Sequence, residues 1–133
     1  MKPKIIKEED LKENDYGDTK VIDILNTEEF PNFSIAKVKK IGDDIKLGSD
    51  SESDVAYYVL KGEGICVIED KEYKIKKGDL VFIPHGTNYK NLKGLTLLAI
   101  ASPRFDRTKR VYIEWKLESE SFYIVSNSKL TWR

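Results

Sequence analysis

Short β-branched and aromatic runs recur along the chain, each cut off by turn residues, and helical periodicity is scarce. The runs predict strands over Lys20–Leu25, Asn32–Val38, Asp54–Leu60, Ile65–Glu69, Glu72–Ile75, Leu80–Ile83, Tyr89–Leu92, Leu95–Ala101, Arg110–Trp115 and Phe122–Val125. The best helical stretch is Glu8 to Glu13, about one turn, ended by Asn14 and Gly17. Gly62-Glu63-Gly64 lies between two apolar runs and reads as a turn, as do Asp70-Lys71, Lys77-Gly78-Asp79 and Pro84-His85-Gly86. Gly48 to Asp54 is polar throughout and reads as a loop. Many short, evenly spaced strands with no long helix predict an all-β sandwich or barrel.

One strand says more. In Val55-Ala56-Tyr57-Tyr58-Val59-Leu60, side chains alternate between faces, so Val55, Tyr57 and Val59 oppose Ala56, Tyr58 and Leu60. Both faces are apolar, whereas a sheet with one solvated face shows polar residues on alternate positions. One face is expected to fill a barrel. The other needs cover, from a terminal strand or a second copy of the chain, and a homodimer is the simpler expectation.

Composition narrows the picture. A length of 133 residues suits one domain. No apolar run approaches the ~20 residues that span a bilayer, and Met1 to Glu9 has no apolar segment of a secretion signal. A soluble, cytoplasmic protein with no membrane partner is expected. Basic and acidic side chains balance at 23 each, without the excess a nucleic-acid binder shows, so no nucleic-acid partner is expected. Cys66 is the single cysteine, set in an apolar run, which suits a core residue in a reducing compartment. His85 is the single histidine, so no multi-histidine metal site can form within one chain.

Two segments then resemble motifs of the cupin superfamily. Asp54 to Gly64 is similar to the second half of the first cupin motif. Lys77 to Tyr89 is similar to the second, with Gly78, Pro84 and Gly86 on that motif's glycine, proline and glycine. Leu97 to Asp106 is similar to the closing strand and tail of small cupins. The resemblance implies a double-stranded β-helix, the jelly-roll or cupin barrel, as a single domain over 1–133 with a core of about 32–114. It also locates the family's metal positions. The glutamate falls on Val55, the paired histidines on Gly48 and Asp50 or on Ser49 and Ser51, and the second-motif histidine on Tyr89. None of these is the expected ligand. Neither a transition metal nor another cofactor is therefore expected. Asp50, Glu52 and Asp54 alternate, and in an extended segment they would offer three carboxylates to a hard cation.

A barrel without a metal still encloses a cavity suited to a small ligand. Tyr57, Tyr89 and Asn91 are expected to point into it and bind a small polar molecule such as a sugar derivative. For catalysis the candidates are His85, as acid or base, and Tyr89, as acid. Metal-free epimerases and isomerases of this superfamily supply the enzymatic alternative, alongside lyases. A structural or regulatory cupin with a filled cavity is the third reading. Beyond the resemblance, Phe122 to Val125 reads as a strand and Leu130 and Trp132 as an apolar anchor.

Overall fold

The computed structural model describes residues 2–118 and 121–127, with side chains through residue 113. The anchor expected at Leu130 and Trp132 lies outside the described residues. A short 3-10 turn at Glu8–Asp10 stands where one helical turn was expected. Eleven strands follow: β1 (Asn14–Asp15), β2 (Thr19–Thr27), β3 (Phe30–Lys40), β4 (Leu47–Asp50), β5 (Asp54–Ile68), β6 (Lys71–Lys76), β7 (Leu80–Ile83), β8 (Tyr89–Asn91), β9 (Leu95–Ser102), β10 (Arg110–Glu118) and β11 (Ser121–Asn127). They pair in the order β1-β2-β3-β9-β5-β8-β4-β10-β11, with β6 and β7 also on β5. Every pairing is antiparallel. This is the expected all-β jelly-roll barrel.

The shared strand β5 joins the two walls. Its first half pairs with β9 and β7, from Asp54 to Gly62 on β9. Its second half pairs with β6 and β8, from Glu63 to Ile68 on β6. The turn expected at Gly62-Glu63-Gly64 is therefore not a turn. The chain runs on through 15 residues of strand, and the glycines serve a close crossing instead. A Cβ on Gly62 would lie 2.1 Å from the Gly94 carbonyl oxygen, and its φ of +85° suits glycine. A register shift between Val59 and Lys61 also changes which parity faces inward. Val55, Val59 and Cys66 are thus all buried.

The loop expected over Gly48 to Asp54 is corrected as well. Its first half is β4, held between β8 and β10, and Gly48, Ser49 and Asp50 are buried. Polar composition disguised a strand whose inward face meets a polar cavity.

Val59, Cys66, Ile75, Leu95 and Leu97 form the buried core, with Val38, Ile68 and Val81 packed against it. Burial pushes the Cys66 thiol up to about 11, so it packs as a small apolar residue at neutral pH. No helix among the described residues is long and apolar enough to cross a membrane.

Candidate functional site

The inward face of β9 reads Leu95, Leu97, Ala99, Ala101. Its first two residues fill the core, and its last two are too small to do so. Beside Ala99 and Ala101 in register stand Ala36 and Ser34 of β3. Small side chains on two adjacent strands leave a cavity of about 760 Å3, lined by residues that include Ala36, Ala99, Ala101, Val55, Tyr57, Tyr89 and Asn91. That volume lies within the range usual for small-molecule sites, ~300–1,000 Å3. The barrel is not filled by its own side chains.

Three strands place the polar groups. Gly48 of β4 pairs with Tyr89 of β8 on one side and with Tyr112 of β10 on the other. Two residues along, Asp50 pairs with Arg110. Strand alternation puts Gly48, Asp50, Tyr89, Asn91, Arg110 and Tyr112 on one face, and all but Gly48 line the cavity.

The Tyr57 and Tyr89 hydroxyls hydrogen-bond at 2.5 Å, with ring centroids 5.7 Å apart. Arg110 Nη1 donates to the Tyr89 hydroxyl at 3.1 Å. The guanidinium also lies 5.1 Å from the Tyr89 ring centre and 5.4 Å from that of Tyr112, within cation–π range. Burial, more than the neighbouring Tyr89, holds the Tyr57 hydroxyl well above the ordinary tyrosine range. Burial also raises Tyr89, against the opposing pull of Arg110 and of its hydrogen bonds. Both phenols are neutral donors at physiological pH. The half-buried Arg110 guanidinium donates to the neutral Tyr89 hydroxyl and stays cationic at physiological pH.

Further charged groups belong to the lining. Asp50 is 2% exposed; its Oδ1 accepts from the backbone N–H groups of Glu52 and Ser53. Its Oδ2 is buried and has no hydrogen-bond partner among the described residues. Across the cavity, buried Lys40 donates to Thr19 Oγ1 and pairs with Asp44. Asp44 Oδ2 in turn accepts from the Asn91 backbone N–H at 2.9 Å. A buried lysine needs such partners to remain charged without a large desolvation penalty.

Of the residues singled out in the sequence, Tyr57, Tyr89 and Asn91 come together on the cavity wall. His85 does not. It is exposed on the outside, where its Nδ1 lies 2.8 Å from Asp54 Oδ1 and its backbone N–H donates to the same oxygen. The carboxylate partner is 31 residues away in the chain, so sequence proximity gave no hint of it. The convergence of Asp50, Glu52 and Asp54 that an extended segment would allow does not form. Asp50 turns inward, Glu52 pairs with Lys109, and Asp54 pairs with His85. The described residues contain no group of three or more His, Cys, Asp or Glu side chains able to hold a metal. Arg104 reaches Asn26 and Glu28, while Asp106 caps the short turn Arg107–Lys109 through Thr108.

Arg110, Lys40, Asp44 and Asp50 were not anticipated as cavity groups. The signal for Arg110 lay in its strand, where Arg110 and Tyr112 alternate with Val111 and Ile113. In a barrel with a polar cavity, it is the polar parity that faces inward.

The conserved-domain description "Cupin domain" matches residues 41–91. An uncharacterised protein of Aquifex aeolicus (strain VF5) is 35% identical over 116 residues, which cover 84% of this chain and 95% of that one. Among solved structures, Streptomyces PAC13, described as a nucleoside dehydratase and also solved with uridine, superposes with a TM-score of 0.76 at 15% identity, covering 90% of this chain and 98% of that one. KdgF from Halomonas sp. superposes at 0.68 with 17% identity, covering 79% and 97%. The chain belongs to the cupin superfamily.

The donor set of this cupin does not fit the superfamily's metal. Of the two possible histidine registers, Gly48 and Asp50 is the one that faces inward. Gly48 offers no ligand, and Val55 is an apolar wall residue. Tyr89 is held neutral and hydrogen-bonded. A Cβ on Gly48 would lie 2.7 Å from Arg110 Nη2. The guanidinium thus occupies space that a ligand side chain on Gly48 would need, and a second cation beside it is electrostatically disfavoured.

Proposed function

We propose that this cupin binds a small polar organic molecule, a sugar derivative or nucleoside being of suitable size, in its barrel without a transition metal. Tyr57, Tyr89 and Asn91 are the binding residues. The observation that carries this reading is the linked Tyr57–Tyr89 hydroxyl pair in a cavity of about 760 Å3. Neutral phenols and an amide offer donors and acceptors at fixed positions, as polar ligands require. The likeness to PAC13, solved with uridine, recommends uridine beside monosaccharides as probes. The test is a thermal-shift screen with these compounds. A saturable rise in melting temperature is expected for at least one class, and it should be lost in Tyr89→Phe. No response to any of them would remove the reading.

A metal-free isomerase, epimerase or lyase is the second reading. It is favoured by titratable groups inside the barrel, with Lys40, Asp44 and Asp50 beside Tyr57 and Tyr89. Tyr89 is the candidate acid, and a cavity carboxylate, Asp50 or Asp44, replaces His85 as the candidate base. Deuterium uptake from heavy water into a bound sugar, read by NMR, tests it. Binding without exchange or product would remove it.

We also propose a cytoplasmic homodimer. Phe82, Ala56, Ile100 and Ile35 form one cross-strand row on the outer face of β7, β5, β9 and β3, and Leu80, Tyr58 and Leu98 form the next. Leu80 is 60% and Phe82 58% exposed. An apolar sheet face of this kind suits a second copy. Light scattering should give twice the chain mass, reduced to one chain by Phe82→Glu; a monomeric native protein would contradict it.

A further inference from the structure

We propose that the ligand is anionic: the cavity takes a carboxylate or phosphate borne on a hydroxylated small molecule, and Arg110 is the fixed cation that meets it. This rests on the reading of the cavity as a site for a polar molecule, and it names the chemical class.

Arg110 sits on the cavity wall with tyrosines as its partners. Among the described residues it has no ion pair with a carboxylate, although four aspartates line the same cavity. Asp50, its cross-strand neighbour, commits Oδ1 to the turn that follows β4. Asp44 is committed to Lys40 and the Asn91 backbone. A guanidinium carries five N–H donors in a planar fork, and Tyr89 takes one of them. Desolvating a cation without a counter-charge is unfavourable, and an incoming anion relieves that. The fork matches the paired oxygens of carboxylate or phosphate.

The surroundings are built around this cation. Gly48 leaves the space that the guanidinium fills, and a Cβ there would also lie 2.9 Å from the Tyr112 ring. The Tyr89 and Tyr57 hydroxyls continue the donor line. The buried, unpartnered Asp50 Oδ2 supplies an acceptor. An anion against Arg110 with a hydroxyl reaching Asp50 would satisfy both. The organic cation thus stands in for the metal as the charge that orients the ligand.

The test follows the guanidinium by 1H–15N NMR in the full chain at constant ionic strength, with inorganic phosphate, glucuronate and glucose as separate probes. The Arg110 Nε–H signal is identified by its loss in Arg110→Gln. The expected result is a saturable shift with glucuronate or phosphate. Arg110→Gln should weaken that binding by about tenfold or more, as loss of a charge-assisted hydrogen bond implies. A response to glucuronate alone identifies a carboxylate, and a response to phosphate alone a phosphate. If Arg110→Gln fails to fold, Gly48→Ala crowds the guanidinium in its place and should weaken the same binding. Saturable binding of glucose with no response to either anion would overturn the anionic class and leave the polar-ligand reading standing. Anion binding of equal strength in Arg110→Gln, or silence toward all three probes, would also overturn it. The neutral sugar and nucleoside screen then decides the broader reading separately.

Discussion

The two ends of the barrel are made by the same strands with different side chains. On β9, Leu95 and Leu97 close one end, and Ala99 and Ala101 open the other. On β5, Val59 and Cys66 belong to the core, while Val55 and Tyr57 line the cavity. The closed end gains stability from apolar burial and dense packing. The open end gives that up and holds, among the described residues, a buried carboxylate oxygen without a hydrogen-bond partner and a half-buried cation without a carboxylate. Such arrangements cost stability and are retained where a ligand completes them. One barrel thus separates a packed core from a polar cavity along its own axis.

The largest expected effect lies at the closed end. Leu97 is fully buried, and Leu97→Ala should destabilise the protein by about 3 kcal/mol in denaturant unfolding. Loss of less than ~1 kcal/mol would mean that this end is not densely packed. Next comes the seam between the ends. Gly62→Ala places a Cβ 2.1 Å from a backbone oxygen at positive φ and should cost about 2 kcal/mol. A neutral outcome would show that the β5 crossing is looser than described.

At the open end the direction of risk reverses. Ala99→Leu adds apolar volume where there is room, so stability should change by less than ~1 kcal/mol. Ligand binding should be lost. A large loss of stability there would erase the distinction between the ends. The smallest effect belongs to the exterior pair of Asp54 and His85. The His85 backbone N–H, and then its ring, hold the Asp54 carboxyl below its ordinary 3.8. A depressed carboxyl pKa stabilises the folded state above 3.8, and the contribution fades as pH falls through the lower folded value. Asp54→Asn should therefore lower the melting temperature slightly at neutral pH and converge with the parent in acid, with cavity binding unchanged. A loss of binding would bring His85 back into consideration.

The division between the ends also explains what the sequence made legible. Apolar alternation revealed the strands of the closed end and the inward parity of Val55, Tyr57 and Val59. Gly78, Pro84 and Gly86 carried the family pattern. Around the cavity the same rules misled. Gly48-Ser49-Asp50 looked like a loop because a strand facing a polar cavity lacks an apolar stripe. Gly62 looked like a turn because glycine at a close backbone crossing has the same signature. Lys40 and Asp44 are joined through a fold-dependent contact, and Arg110 meets Tyr89 from 21 residues away. Residues at sites obey the chemistry of a partner molecule, which the chain alone does not display.

The most direct test is the metal content of tag-free protein, measured by inductively coupled plasma mass spectrometry alongside the Arg110→Gln variant. With a guanidinium in the place of the metal, transition metal should be far below one equivalent per chain in both. Close to one tightly held transition-metal ion per native chain would contradict it.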